Sequence, residues 1–256
     1  MNLARGKVEA YLLEELKRNG KIQITLIDPE KVEVDTASNT AVETESLGSS
    51  AIMVGSSTLT SPTKLDEIVQ SIKKAVSIPV ILFPNNITGI SKYADAIWFM
   101  SLLNSSDPYY IIGAQMLGAP LVRKYGIEPI PMGYIVVGDD SAVGVVGQVK
   151  AIPRNKPELA AAYALAAQYL GMRFVYLEAG SGAKEPVPRE MVNLTKRYVD
   201  IPLIVGGGIK TGDQARMIAE AGADIIVTGT ITEDPKAKCG LQDIIRSIRT
   251  VGEHRG

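Results

Sequence analysis

The chain has 256 residues, is 46% hydrophobic and carries a formal net charge of -1 without a basic cluster, which suits a globular core and excludes nucleic acid as a partner. Its one cysteine, Cys239, and one histidine, His254, exclude a disulfide framework, a thiolate metal site and histidine-based catalysis in the body of the fold. Any chemistry must run on carboxylates, hydroxyls, backbone amides or a hard cation.

Residues 8–16 have amphipathic helical spacing rather than the pattern of a secretion signal. No apolar run approaches the roughly 20 residues that span a bilayer. The expected setting is the cytoplasm, with at most transient contact with a membrane surface. From there, short apolar runs alternate with helical stretches. Strands are predicted at 22–27, 51–55, 80–83, 96–100, 131–137, 174–178, 203–206 and 225–228. Helices are predicted at 36–47, 62–75, 108–125, 156–170, 188–198, 211–221 and 241–249. Eight β-runs with helices between them predict an α/β fold of one domain over 1–256, a (β/α)8 TIM barrel.

The segment between the third and fourth strands breaks the pattern. Pro84, Asn85, Asn86 and Gly89 leave too little helix-forming chain for a crossover helix. The third helix is therefore expected to be modified or missing, leaving a groove along the barrel's flank. The stretch 138–155, with Asp139, Asp140 and Pro153, is either a cover over the site or a loose insertion.

Chemistry in such a barrel sits at the C-terminal ends of the strands. Asp28 ends the first strand and either binds a hard cation such as Mg2+ or caps the next helix. Gly55, Ser56, Ser57 and Thr58 follow the second strand and offer neutral oxygens. Trp98 and Phe99 on the fourth strand, with Tyr109 on the next helix, either line an apolar channel or fill the core. Glu178 ends the sixth strand, with Tyr176 on the same face by alternation; it is a candidate general base. The turns Ala179-Gly180-Ser181-Gly182, Gly206-Gly207-Gly208 and Gly229-Thr230 let backbone N–H groups converge on a phosphate.

Several of these segments resemble one family. They are Leu26-Ile27-Asp28-Pro29-Glu30-Lys31, Met53-Val54-Gly55-Ser56-Ser57-Thr58, Asp95-Ala96-Ile97-Trp98-Phe99-Met100-Ser101-Leu102-Leu103-Asn104-Ser105, Tyr176-Leu177-Glu178-Ala179-Gly180-Ser181-Gly182, Val205-Gly206-Gly207-Gly208-Ile209 and Thr228-Gly229-Thr230. Together they are similar to the archaeal geranylgeranylglyceryl phosphate synthases and the bacterial heptaprenylglyceryl phosphate synthases. The resemblance implies a prenyltransferase that joins sn-glycerol 1-phosphate to a long prenyl diphosphate in ether-lipid synthesis. It implies Mg2+ as cofactor on Asp28 and Ser57, with Asp28 and Glu178 catalytic. Residues 176–182, with Gly207, Gly208, Gly229 and Thr230, would hold glycerol phosphate, and a homo-oligomer is expected. The chain departs from the family's common pattern at Glu30, where Asp is usual, and at Ser56, where Gly is usual. The alternatives are the same reaction with another prenyl length, a phosphosugar isomerase working with Asp28 and Glu178, and a non-catalytic binder of a phosphate ligand.

Overall fold

A computed structural model describes residues 5–58, 61–138, 141–229 and 237–253. Eight parallel strands close into a barrel in sequence order. They are β1 (Ile22–Ile27), β2 (Ala51–Val54), β3 (Val80–Leu82), β4 (Ala96–Leu102), β5 (Glu128–Val136), β6 (Phe174–Glu178), β7 (Leu203–Gly206) and β8 (Ile225–Thr228). The helices are α1 (Lys7–Asn19), α2 (Val34–Leu47), α3 (Pro62–Ala75), α4 (Ala114–Tyr125), α5 (Ala142–Val146), α6 (Pro157–Tyr169), α7 (Arg189–Tyr198), α8 (Gly212–Ala221) and α9 (Ala237–Glu253).

Between β3 and β4 the chain makes only one 3-10 turn, Ile87–Gly89. The Asn86 side chain accepts the Thr88 N–H at 2.7 Å, so the polar residues that argue against a helix close a tight turn instead. The barrel wall is therefore one helix short on that side.

Several expected boundaries shift, three of them around β4 and β5. Strand β4 runs on to Leu102 because it pairs with β5 over its whole length, from Ala96↔Glu128 to Leu102↔Tyr134. Strand β5 starts at Glu128, not at 131. The Glu128 N–H turns toward the β4 side, to the Asp95 carbonyl, so by alternation Pro129 and Pro131 face β6. β6 pairs only from Met132 onward, so the missing proline N–H groups leave no ladder bond unmade. The expected helix 108–125 divides into a π-turn, Tyr109–Gly113, and α4. The Gln115 side chain donates to the Met100 and Tyr110 carbonyls at 2.5 and 3.2 Å, which ties that turn to β4.

Side chains alternate across each strand and divide the apolar core. Ile24, Met53, Trp98, Met132 and Phe174 fill the barrel interior, where the Trp98 and Phe174 rings meet edge to face at 5.2 Å. The opposite faces of the same strands pack against the surrounding helices. Val8 and Leu12 of α1 join the interior cluster and close the N-terminal end of the barrel. Glu128 accepts the Val8 and Glu9 N–H groups at 2.7 and 2.8 Å and so caps α1 from across the fold.

Candidate active site

A cavity of about 190 Å³ opens at the C-terminal mouth of the barrel and continues into the flank left open by the missing helix. Asp28 and Glu178 line its mouth; Ile87, Phe99 and Gly118 line its flank. One continuous space thus joins a polar end to an apolar groove.

On the β1–β2 rim, Asp28 Oδ1 accepts the Glu30 N–H at 3.0 Å. Asp28 does not cap α2, whose N-cap is Glu33 without a side-chain bond. Lys31 Nζ lies 4.0 Å from Asp28 Oδ2. Gly55 has no room for a side chain, since a Cβ would sit 1.9 Å from the Phe83 carbonyl oxygen. Ser56 and Ser57 line the same cavity. Asn85 donates to the Ser57 carbonyl at 3.4 Å, while its own Oδ1 is buried with no hydrogen-bond partner among the described residues.

Glu178 is 6% exposed, and its Oε1 accepts the Gly180 N–H at 2.6 Å. The hydroxyls of Tyr176 and Tyr134 also hydrogen-bond to it. Burial pushes the carboxyl above the usual carboxylate range, and these three donors pull it part of the way back. Burial, reinforced by the Glu178 charge, holds both phenols well above their ordinary range, so they stay protonated and donate. Among the described residues no basic side chain pairs with Glu178; its donors are neutral. Tyr134 is a site residue that the sequence reading missed. Its register partner across β5–β6 is Tyr176, but that pairing is not legible without the alignment of strands.

Two glycines serve this acid rather than a phosphate alone. A Cβ at Gly206 would sit 2.0 Å from the Tyr176 hydroxyl, and one at Gly207 would sit 2.4 Å from Glu178 Oε1. Gly207 also has φ +81, which disfavours any side chain. Ser181, Gly182, Gly207, Gly208 and Gly229 all border the cavity mouth. Leu177 and Ala179 point the other way, into the layer between strands and helices. Gly180 contributes its N–H to Glu178 and packs against Ser141. Thr230 lies outside the described residues. Lys210, four residues beyond β7, lines the same mouth and was also missed; its signal is that it follows the triple glycine directly, as Ile209-Lys210.

Along the groove, the two aromatic residues of β4 separate by alternation. Trp98 is fully buried inside the barrel and reaches the cavity from below, its Nε1–H without a hydrogen-bond partner among the described residues. Phe99 faces outward and lines the flank. Tyr109 does not line the cavity; Tyr110 does, with Tyr109 packed edge to face on it at 5.2 Å. Helicity there begins in a π-turn, which rotates the residues away from the expected α-helical phase.

The stretch after β5 forms a roof. Val143, Val146 and Gly147 border the cavity. The motif after β4 pins this roof: Asn104 donates to the Val136 and Lys150 carbonyls at 2.9 and 3.1 Å and accepts the Val136 N–H at 3.1 Å. Ser105 and Ser106 donate to the Gly147 and Gln148 carbonyls at 2.6 and 2.8 Å.

Several relatives more than half identical to this chain share a name. The geranylgeranylglyceryl phosphate synthase of Pyrococcus abyssi is 57% identical over 95% of this chain and 98% of that protein. The one from Pyrococcus horikoshii is 59% identical over 95% of this chain and 96% of its own length. The crystal structure of (S)-3-O-geranylgeranylglyceryl phosphate synthase from Thermoplasma acidophilum, in complex with sn-glycerol-1-phosphate, matches with a TM-score of 0.91 at 43% identity, covering 96% of this chain and all of that one. The PcrB family profile matches residues 14–251, and the chain belongs to that family.

Proposed function

We propose that this chain joins sn-glycerol 1-phosphate to geranylgeranyl diphosphate, releasing diphosphate and forming 3-O-geranylgeranyl-sn-glycerol 1-phosphate, the first ether bond of archaeal membrane lipids. The observation that carries the reading is the single cavity that joins a buried carboxylate and glycine turns to an apolar flank groove. A phosphosugar isomerase would use the mouth but would have no need of the groove.

In this reading the glycine turns after β6, β7 and β8 hold the phosphate of glycerol phosphate through backbone N–H groups, with Lys210 adding a cation at the rim. Glu178 accepts a hydrogen bond from the 3-hydroxyl and takes its proton as the hydroxyl oxygen attacks. Tyr176 and Tyr134 hold the carboxylate in place. The prenyl tail lies along Phe99 and Tyr110, where each buried methylene contributes about 0.8 kcal/mol before ordering costs.

A hard cation suits the β1–β2 rim. Mg2+ typically takes only one or two carboxylates and completes its shell with water and phosphate oxygens. What supports this reading is that Asp28, Ser56 and Ser57 line the cavity together and that Asn85 Oδ1, in the same lining, is buried with no hydrogen-bond partner among the described residues. Asp28 and Ser57 would hold Mg2+, whose charge offsets that of the departing diphosphate. We also propose self-association. Ile112 and Met116, 63% and 62% exposed, offer an apolar face for it.

The test is incubation of labelled glycerol 1-phosphate with Mg2+ and allylic diphosphates of several lengths. Organic-extractable label with the geranylgeranyl donor is the expected result. No extractable label with any donor would reject the transferase, and label only with the heptaprenyl donor would reassign the substrate.

A further inference from the structure

Three aromatic rings stand together in the barrel mouth. Phe83 follows β3, Tyr134 lies on β5 and Tyr176 on β6. Phe83 stacks on Tyr176 at 5.7 Å between centroids and meets Tyr134 edge to face at 5.4 Å; the two tyrosines meet at 5.2 Å. The tyrosine hydroxyls are accounted for by Glu178. Phe83 has no polar group to offer, yet its half-buried ring forms part of the cavity wall.

Its place in the fold is specific. The Phe83 carbonyl fills the space where Gly55 would carry a Cβ, so Phe83 abuts the β1–β2 rim. Pro84, the next residue, begins the segment that replaces the missing helix. Through the tyrosines, the ring is one residue removed from Glu178. Phe83 thus stands where polar mouth and apolar groove meet. A donor with its diphosphate at the rim and its tail in the groove must pass its first carbon across this point.

We infer that Phe83 is a further catalytic residue, whose ring, backed by Tyr134 and Tyr176, stabilises the positive charge that develops on the first carbon of the prenyl donor. The inference rests on the transferase reading above. In that reaction the carbon–oxygen bond to diphosphate breaks heterolytically and its electron pair leaves with the diphosphate. A lone pair of the glycerol 3-hydroxyl forms the new carbon–oxygen bond, and the hydroxyl proton passes to Glu178. Between the two events the allylic carbon is electron-poor. An aromatic face carries negative potential and attracts such a centre. Unlike a carboxylate or hydroxyl at the same place, it has no lone pair with which to capture the cation.

The test replaces Phe83 with mono-, di- and trifluorophenylalanine, which drain charge from the ring face with little change of shape. Single-turnover rates at saturating donor are expected to fall stepwise, by about 2- to 30-fold across the series. The donor KM should stay within about twofold, since tail burial is unchanged. Phe83→Leu, which keeps an apolar side chain without a ring, should show the same split, with melting temperature confirming that it folds. Rates that do not follow the fluorine count, or a Phe83→Leu defect confined to donor KM, would overturn the proposal. A parent protein that forms no ether product with any donor would instead overturn the transferase reading, and this inference with it.

Discussion

At the scale of single residues, Glu178 combines a cost with a role. Its carboxyl is raised by burial, so between the ordinary carboxylate range and that raised value the folded state binds a proton that the unfolded state has released. The stability contributed by this group is present at low pH and is lost as pH rises through that window. Glu178→Gln keeps one acceptor oxygen, which the Gly180 N–H can still use, but replaces the other by an amide donor and has no charge to bury. It is expected to lower turnover by about 10²-fold or more while still binding glycerol phosphate. Calorimetry at pH 4 and pH 7 checks the sign: the parent loses stability relative to the variant between the two. Unchanged turnover would remove Glu178 as the base.

At the scale of elements, the groove depends on what the β3–β4 connection omits and on what the β5–α6 connection covers. Gly118 of α4 faces that groove, where a Cβ would come 3.0 Å from the tip of Ile90. Gly118→Phe should therefore fill part of the channel. The KM for a geranylgeranyl donor is expected to rise by about tenfold, the equivalent of two methylenes displaced from the groove, while a dimethylallyl donor is spared. Equal effects on both donors would place the tail elsewhere. The roof depends on Asn104, which is 2% exposed and whose amide bonds to chain 32 and 46 residues away. Asn104→Ala removes the acceptor of the buried Val136 N–H and a donor to the Lys150 carbonyl, while the Val136 carbonyl keeps the Ile152 N–H; the unpaired N–H should cost about 1–3 kcal/mol. Hydrogen exchange should then show increased opening of residues 141–152; protection equal to the parent's would mean that the serines alone hold the roof.

For the whole molecule, the barrel separates stability from chemistry along its axis. The N-terminal end is closed by α1 and braced by buried charge: Glu9 pairs with Arg173 at 2.8 Å, and Lys21 with Asp224 at 3.2 Å. Glu128→Ala removes the acceptor that caps α1 and should cost about 0.5–2 kcal/mol of stability. Because the cavity lies at the opposite end, kcat should be unchanged well below the melting temperature. A fall in kcat without a fall in melting temperature would show that the two ends are coupled.

What the sequence determined alone is what local chain chemistry dictates. Apolar runs bounded by turn residues placed all eight strands, and Pro84, Asn85, Asn86 and Gly89 forbade a third crossover helix through backbone preference. The glycine turns after β6 and β7 were legible because positive φ leaves few other residues. The tertiary structure decided which side chains meet. Tyr134 reaches Glu178 only through the β5–β6 register, and Asn104 reaches the roof only because β4 and β5 are neighbours. Alternation alone divides Trp98 from Phe99, but only closure of the barrel assigns one to the interior and the other to the open flank. Periodicity is set by neighbouring peptide units, whereas register and closure are set by packing between segments far apart in the chain, and no short stretch of sequence carries that information.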